Sequence, residues 1–395
     1  MAGRYRAPGP GTTGVDVSLL GTTLATAAVA LTPPATAAAP PAAADEAGRS
    51  GRAVVATGLD NPRHLSFDGR GRLFVAESGQ GGSGPCVGGA EQEEICLGSS
   101  GAVTMLSGGR QRRVVTGLPS LAGEGGNQAT GPTDVSVDRR GHYRISMGLG
   151  GDEAFRNQLT PPARRQLGTV LAGRLGSAPF VYADLAAYEQ DVNPDGSVDP
   201  ETGDPAPDSN PGGLTRTGRG LLVTDAGGNS LVRARFGRVT TVATFPKREV
   251  ANSFGGPPVP MDAVPTSVTP GPRGSYFVSQ LTGFPFPKGG ARVYRVVPGR
   301  APTVWASGLT NVTDLTWSKG RLYAVQLADD GLLATPEGQL PTGSLVRVPQ
   351  GSTSPRTVAS GLAAPYGVAV RGSSAYVTTC SVCADGGTVT RVPLR

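Results

Sequence analysis

The sequence predicts an all-β protein, a six-bladed β-propeller with four strands per blade. An inner-strand start recurs six times: PRHLSF at Pro62, PTDVSV at Pro132, PGGLTR at Pro211, PTSVTP at Pro265, VTDLTW at Val312 and PYGVAV at Pro365. Each is followed by a turn and a second strand: RLFVAE, HYRISM, GLLVTD, SYFVSQ, RLYAVQ and SAYVTT. A third strand comes next: GAVTML, GTVLAG, NSLVRAR, ARVYRV, GSLVRV and GTVTRV. Repeats of this length that cannot bury both faces of their own sheet are the mark of blades stacked around an axis. Composition agrees, because Gly 60 and Pro 35 in 395 residues suit short strands and tight turns.

In chain order, residues 1–44 read as an export signal with an Ala/Pro-rich leader. Arg4 and Arg6 precede an apolar core at 17–31, and small-residue cleavage sites follow, after Ala37 or Ala44. Residues 45–52 form a short linker, and 53–395 the propeller. AVVATGL at 53–59 has the form of a fourth strand but precedes the first blade, while the last blade stops after its third. The N-terminal strand is therefore expected to complete the last blade and remove the open edges. A small residue–Gly–Leu step (Thr57-Gly58-Leu59, Thr116-Gly117-Leu118, Ser307-Gly308-Leu309, Ser360-Gly361-Leu362) marks several fourth-strand ends. Long insertions at 78–100, 117–131, 148–168, 184–210, 281–290 and 328–342 all fall in connections that emerge on one face. The other face carries short turns such as DGRG and DRRG. Loops on a rigid scaffold concentrate binding residues, so the decorated face, with small helical and loop insertions, is the expected working face.

The four cysteines fit an exported chain. Cys86 and Cys96 share one Gly-rich loop, and Cys380 and Cys383 form a C-x-x-C. Two local bridges are expected, although blades one and six are neighbours in a closed ring and crossed pairs are open. A redox C-x-x-C wants a helix N-terminus, and this one follows a strand and precedes Gly-Gly.

DVNPDGSVDPET begins like a calcium loop, with Asp191, Asn193, Asp195, Ser197 and Asp199 at alternate ligand positions and Gly196 at the sharp turn. Calcium is the cofactor it points to. Thr202 stands where the bidentate glutamate belongs, and two prolines stiffen the loop, so a solvated acidic connector is the competing reading.

GLDNPRHLSFDGRGRLFVAESG, GPTDVSVDRRGHYRISMGLGGD, DSNPGGL, TDAGGNSL and AVPTSV…YFVSQLTGFPFPKGGARVYRVVPG resemble the ScyD/ScyE family of exported six-bladed propellers, over about residues 52–394. TDAGGNSLVRA also resembles an NHL-type repeat, within the wider group related to TolB-like propellers. The resemblance implies an exported propeller and supplies no reaction. Many relatives are expected to carry His-Asp after the second inner-strand proline, where this chain has Thr133-Asp134.

Propellers of the gluconolactonase type hydrolyse lactones with one divalent metal in the central channel. By analogy, the channel-mouth binding candidates here are His64, Glu77, Asp134, Asp225, Asn229, Gln280, Asp314 and Gln326. Gln280 and Gln326 are neutral, and PGG at 211–213 offers no ligand. His64 and His142 lie at an inner-strand start and on a plain-face turn, and no serine sits in a nucleophile elbow, which argues against a Ser-His-Asp triad. The formal charge of +6 is spread thinly, so no nucleic-acid surface is expected. No segment after the leader is long and apolar enough to span a bilayer. The expectation is a secreted monomer that binds a protein, glycan or small molecule through its decorated face. The competing reading is a metal-assisted, lactonase-like hydrolase at the channel mouth.

Overall fold

The computed structural model describes residues 51–89 and 94–394. The expected leader, 1–44, and positions 45–50 of the linker lie outside the described residues.

Six antiparallel sheets follow one another along the chain. Blade one runs Pro62–Phe67, Leu73–Glu77, Glu94–Ser107 and Arg110–Ala122, and blade two Pro132–Val137, His142–Met147, Thr169–Arg174 and Phe180–Asp184. Blade three runs Pro211–Thr217, Gly220–Asp225, Ser230–Arg235 and Arg238–Thr244, and blade four Pro265–Pro270, Tyr276–Gln280, Ala291–Val296 and Thr303–Leu309. Blade five is Val312–Ser318, Arg321–Gln326, Thr342–Val348 and Arg356–Ala363. Blade six takes Val368–Arg371, Ser374–Thr379 and Gly387–Pro393 from the C-terminal end, and Ala53–Leu59 pairs antiparallel with the last of these as its fourth strand. Each inner strand contacts the inner strand of the next blade, and the sixth contacts the first, so the ring is closed.

Stacking explains the burial. All five residues of Leu73–Glu77 are buried, because neighbouring blades cover both faces of the sheet. Phe74, Val103, Val135, Tyr143 and Ile145 fill the seam between blades one and two. Between blades four and five, Phe277 lies 4.7 Å from Trp305 and 5.2 Å from Trp317, centroid to centroid. On the plain face, Asp68 Oδ1 accepts from the Arg70 and Arg72 amides, and Asp138 Oδ1 from Arg140 and His142, which fixes two equivalent turns.

The decorated face departs from expectation in three places. The inner strand of blade six begins at Val368 rather than Pro365, because Pro365 has no amide to pair and Gly367 gives its own to Thr378 Oγ1. In blade one, part of the expected 78–100 loop is strand: Glu94–Ser107 outruns its inner partner and pairs with Cys86–Gly88 and Arg110–Ala122. The link from blade three to blade four holds an unforeseen hairpin, Arg248–Val250 with Val259–Met261.

Three short helices complete this face. Asp152 caps Glu153–Asn157 by accepting from the Phe155 amide, and Asp184 caps Leu185–Val192 by accepting from Ala187. Arg156, 4% exposed, joins these two helices by donating through both terminal nitrogens to the Asp184 carboxylate at 3.0 and 2.8 Å. Pro161–Gln166 lies between them in sequence.

The disulfides are Cys86–Cys96 and Cys380–Cys383, the two local bridges. The C-x-x-C turn staples blade six to blade one. Cys383 O accepts from the Asn61 amide at 2.9 Å, and the Ala384 amide donates to Asn127 Oδ1 at 3.0 Å.

Candidate functional site

The third residue of each inner-strand motif forms a ring at the axis: His64, Asp134, Gly213, Ser267, Asp314 and Gly367. Its polar members cross-link blades. Asp134 Oδ2 accepts from the Leu214 amide of blade three at 2.7 Å, and Oδ1 from Val135. Asp314 Oδ2 accepts from Val368 of blade six at 2.7 Å, while Oδ1 accepts from Leu315 and from Ser267 Oγ of blade four. Every carboxylate oxygen in the ring therefore already holds an N–H or O–H.

His64 is 2% exposed. Its Nε2 lies 3.1 Å from Thr313 O and its Nδ1 3.8 Å from Asp134 Oδ2, with no hydrogen-bond partner for Nδ1. The two glycines make room for this ring: a Cβ at Gly213 would stand 3.3 Å from His64 Cε1, and one at Gly367 2.8 Å from His64 Cα. Burial lifts the Asp134 carboxyl to about 6, with Asp314 adding to the rise and His64 opposing it. Burial also raises Asp314. A Ser-His-Asp relay is not assembled, because Ser267 Oγ donates to Asp314 rather than to the imidazole.

The other channel-mouth candidates lie inside the blades. Glu77 faces outward along its sheet and takes Arg113 of the fourth strand at 2.7 Å. Its Oε2 also accepts from the Asp60 amide, just as Asp225 Oδ1 accepts from Asn210 and Gln326 Oε1 from Thr310. These three caps tie the second strand to the residues entering the inner strand. Gln280 Oε1 accepts from Arg292 instead.

Asn229 is a hub between links. Its Oδ1 accepts from Ala263 and Val264, and its Nδ2 donates to Asp195 at 2.9 Å and Asp262 at 3.1 Å. Within the calcium-like loop, Asn193, Asp195 and Asp199 each accept from the loop's own amides. Asn193 Oδ1 and Asp195 Oδ1 accept from the Ser197 amide, Asp199 Oδ1 accepts from Glu201 and Thr202, and Asp191 is exposed. Among the described residues, no group of three or more His, Cys, Asp or Glu side chains is placed to hold a metal ion.

Sequence reasoning missed Arg63 and Tyr366. The guanidinium lies 4.9 Å over the tyrosine ring, and both stand at the decorated end of the axis. The motif's second position carries Thr133, Gly212, Thr266 and Thr313 in the other blades, so these two large residues were the available signal. Also missed was a groove of about 590 Å³ between the blade-one hairpin and the helix Pro161–Gln166. Ser83, Ser99, Ser100, Thr160 and Gln166 supply its polar lining, no charged residue lines it, and Gln166 Oε1 is buried without a partner.

No family model and no curated protein matches the chain. Among solved structures it is similar to regucalcin, a calcium-binding protein from Agrobacterium tumefaciens, at 12% identity over 87% of this chain and 94% of that one, with a TM-score of 0.48. It is also similar to an alpha-L-arabinanase from Penicillium chrysogenum complexed with arabinobiose, at 10% identity over 87% and 97%, TM-score 0.43. A third similar structure is the PQQ-bound aldose sugar dehydrogenase of Streptomyces coelicolor, at 16% identity over 75% and 96%, TM-score 0.38. The six-bladed fold rests on the strand pairing and ring closure described above.

Proposed function

We propose that the protein is a secreted binding propeller of the ScyD/ScyE type, which holds an uncharged, hydrogen-bonding ligand on its decorated face. A neutral glycan is the ligand class that matches. The uncharged groove beside Pro161–Gln166, lined by Ser83, Ser99, Ser100, Thr160 and Gln166, carries this reading. The two disulfides fit an oxidising compartment. Among the described residues, no helix is long and apolar enough to cross a membrane. The axis supports the same choice, since its four carboxylate oxygens are committed to neighbouring blades and leave a lactonase-type metal poorly served.

The test is a neutral-glycan array probed with wild type, Gln166→Leu and Asp134→Asn. Binding that Gln166→Leu weakens by about tenfold, the loss of one well-placed hydrogen bond, and that Asp134→Asn leaves intact is the expected outcome. Metal-dependent turnover of a lactone panel, abolished by Asp134→Asn, would replace this reading with the hydrolase.

A further inference from the structure

Toward the plain face, each seam of the ring joins a side chain from the second strand of one blade to one from the inner strand of the next. Phe277 meets Trp317 at 5.2 Å between blades four and five, and Tyr376 meets Phe67 at 5.1 Å between blades six and one. The first member of each pair stands opposite the fifth position of the inner-strand motif. It is Phe74, Leu222, Phe277, Tyr323 or Tyr376 in five of the blades. The second member is the sixth motif position, which is Phe67, Val137, Pro270, Trp317 or Val370. The seam between blades two and three departs from this on both sides at once: Arg144 is its first member and Arg216 its second.

A pocket of about 560 Å³ lies at this seam, with Asp138, His142, Arg144, Arg174, Phe180 and Arg216 in its lining. Strand register gathers four of them on one face of blade two, since His142 pairs with Arg174, Arg144 with Ala172, and Ala172 with Phe180. Arg216 is fixed by donating through Nε to Ser136 Oγ and through Nη2 to Ser136 O and His142 O. Arg144 donates through Nη1 to Tyr143 O, and its guanidinium lies 4.5 Å over the Tyr182 ring. Among the described residues, the arginines in ion pairs are Arg72, Arg113 and Arg156, so Arg144, Arg174 and Arg216 are in none. Asp138, the acid in the lining, is committed to its own turn: Oδ1 accepts from the Arg140 and His142 amides, and Oδ2 lies 3.1 Å from the His142 ring. Burial first, then the Arg144 charge, holds the Arg216 guanidinium below its ordinary value. Two like charges weaken a seam that an apolar pair would close, and an anion seated between them reverses the sign.

We propose that the plain-face end of the seam between blades two and three binds a small organic oxyanion. Arg144 and Arg216 take its charged head, Arg174 stands beside them, and Phe180, 61% exposed, offers an apolar wall to its body. The volume is that of a small-molecule pocket. The guanidinium fork suits carboxylate, sulfate and phosphate heads alike. This site lies on the face opposite the groove beside Pro161–Gln166 and is independent of the neutral ligand assigned there.

Calorimetric titration of benzoate, phenyl phosphate and phenyl sulfate into the protein at neutral pH and low salt tests this, with Arg144→Leu, Arg174→Ala and Arg219→Ala alongside. The expected result is saturable binding of at least one of the three, with the preferred head group read from their ranking. Arg144→Leu, which restores the kind of residue that Leu222 supplies in the next blade, should weaken it by at least about tenfold. Arg174→Ala should weaken it by about threefold, as befits an exposed charge. That side chain makes no hydrogen bond or ion pair among the described residues, so the fold of this variant is secure. Arg219, an exposed arginine outside the pocket lining, should have no effect. Binding that survives both Arg144→Leu and Arg174→Ala would overturn the inference, and so would binding that Arg219→Ala weakens as much as they do, which is the mark of unspecific surface charge. Absence of heat and of any melting shift with all three probes up to about 10 mM would overturn it too.

Discussion

Asp134 sits at the axis with both oxygens engaged and a carboxyl lifted from 3.8 to about 6. Because the folded value lies above the unfolded one, its contribution to stability is full below about pH 4 and is lost as pH rises through 6. The difference is worth about 3 kcal/mol. Urea titrations of wild type and Asp134→Asn should therefore diverge between pH 4 and 8, with wild type losing ground as the pH rises; parallel curves would contradict this. Gly213 sets a second limit at this scale. A Cβ there would come within 2.7 Å of Ser267 Cα and 3.0 Å of Thr266 O, both backbone atoms that cannot step aside. Gly213→Ala should cost about 2 kcal/mol. Gly218→Ala, with nothing within 4 Å of its Cβ, is the matched control for thermal melting.

Among the elements, the blade-one hairpin extends past its own sheet and carries Cys86–Cys96 at its tip. Replacing both cysteines by serine should loosen this tip by up to about 3 kcal/mol, on the loop-entropy estimate. The loss should be local. Faster amide exchange at 94–98, with the propeller's main melting transition unmoved, is the outcome to look for; a large drop in that transition would make the hairpin part of the cooperative core. The blades themselves were legible in the sequence because each has a marked start and three strands in fixed order. The hairpin at 248–261 was not, since its three-residue strands are too short to show a period beside Gly255 and Gly256. The candidate site was legible in part. His64, Asp134 and Asp314 could be aligned from the inner-strand motif and do meet. Glu77 and Gln326 occupy aligned positions too, but which way their side chains turn depends on Arg113 and Thr310, which only the folded sheet brings near. Glu189 and Asp208 lie in the link into blade three and Asp262 in the link out of it, and nothing local announces their convergence.

For the whole molecule, closure through Ala53–Leu59 governs cooperativity. Leu59 is fully buried and packs with Leu65, Val75 and Val389, joining blades one and six. Leu59→Ala should cost about 3 kcal/mol and lower the single melting transition of the entire ring. A variant that melted blade six alone, ahead of the rest, would show that the seam is not shared.

The same seam orders events in time. Among the described residues, the strand synthesised first is the one used last: until Gly387–Pro393 has left the ribosome, residues 53–59 have no partner to clasp. The growing chain is then an unfinished arc with two bare flanks, and only its final segment turns the arc into a ring. Assembly therefore has a built-in checkpoint, since a chain cut short anywhere before its last strand has no way to lock.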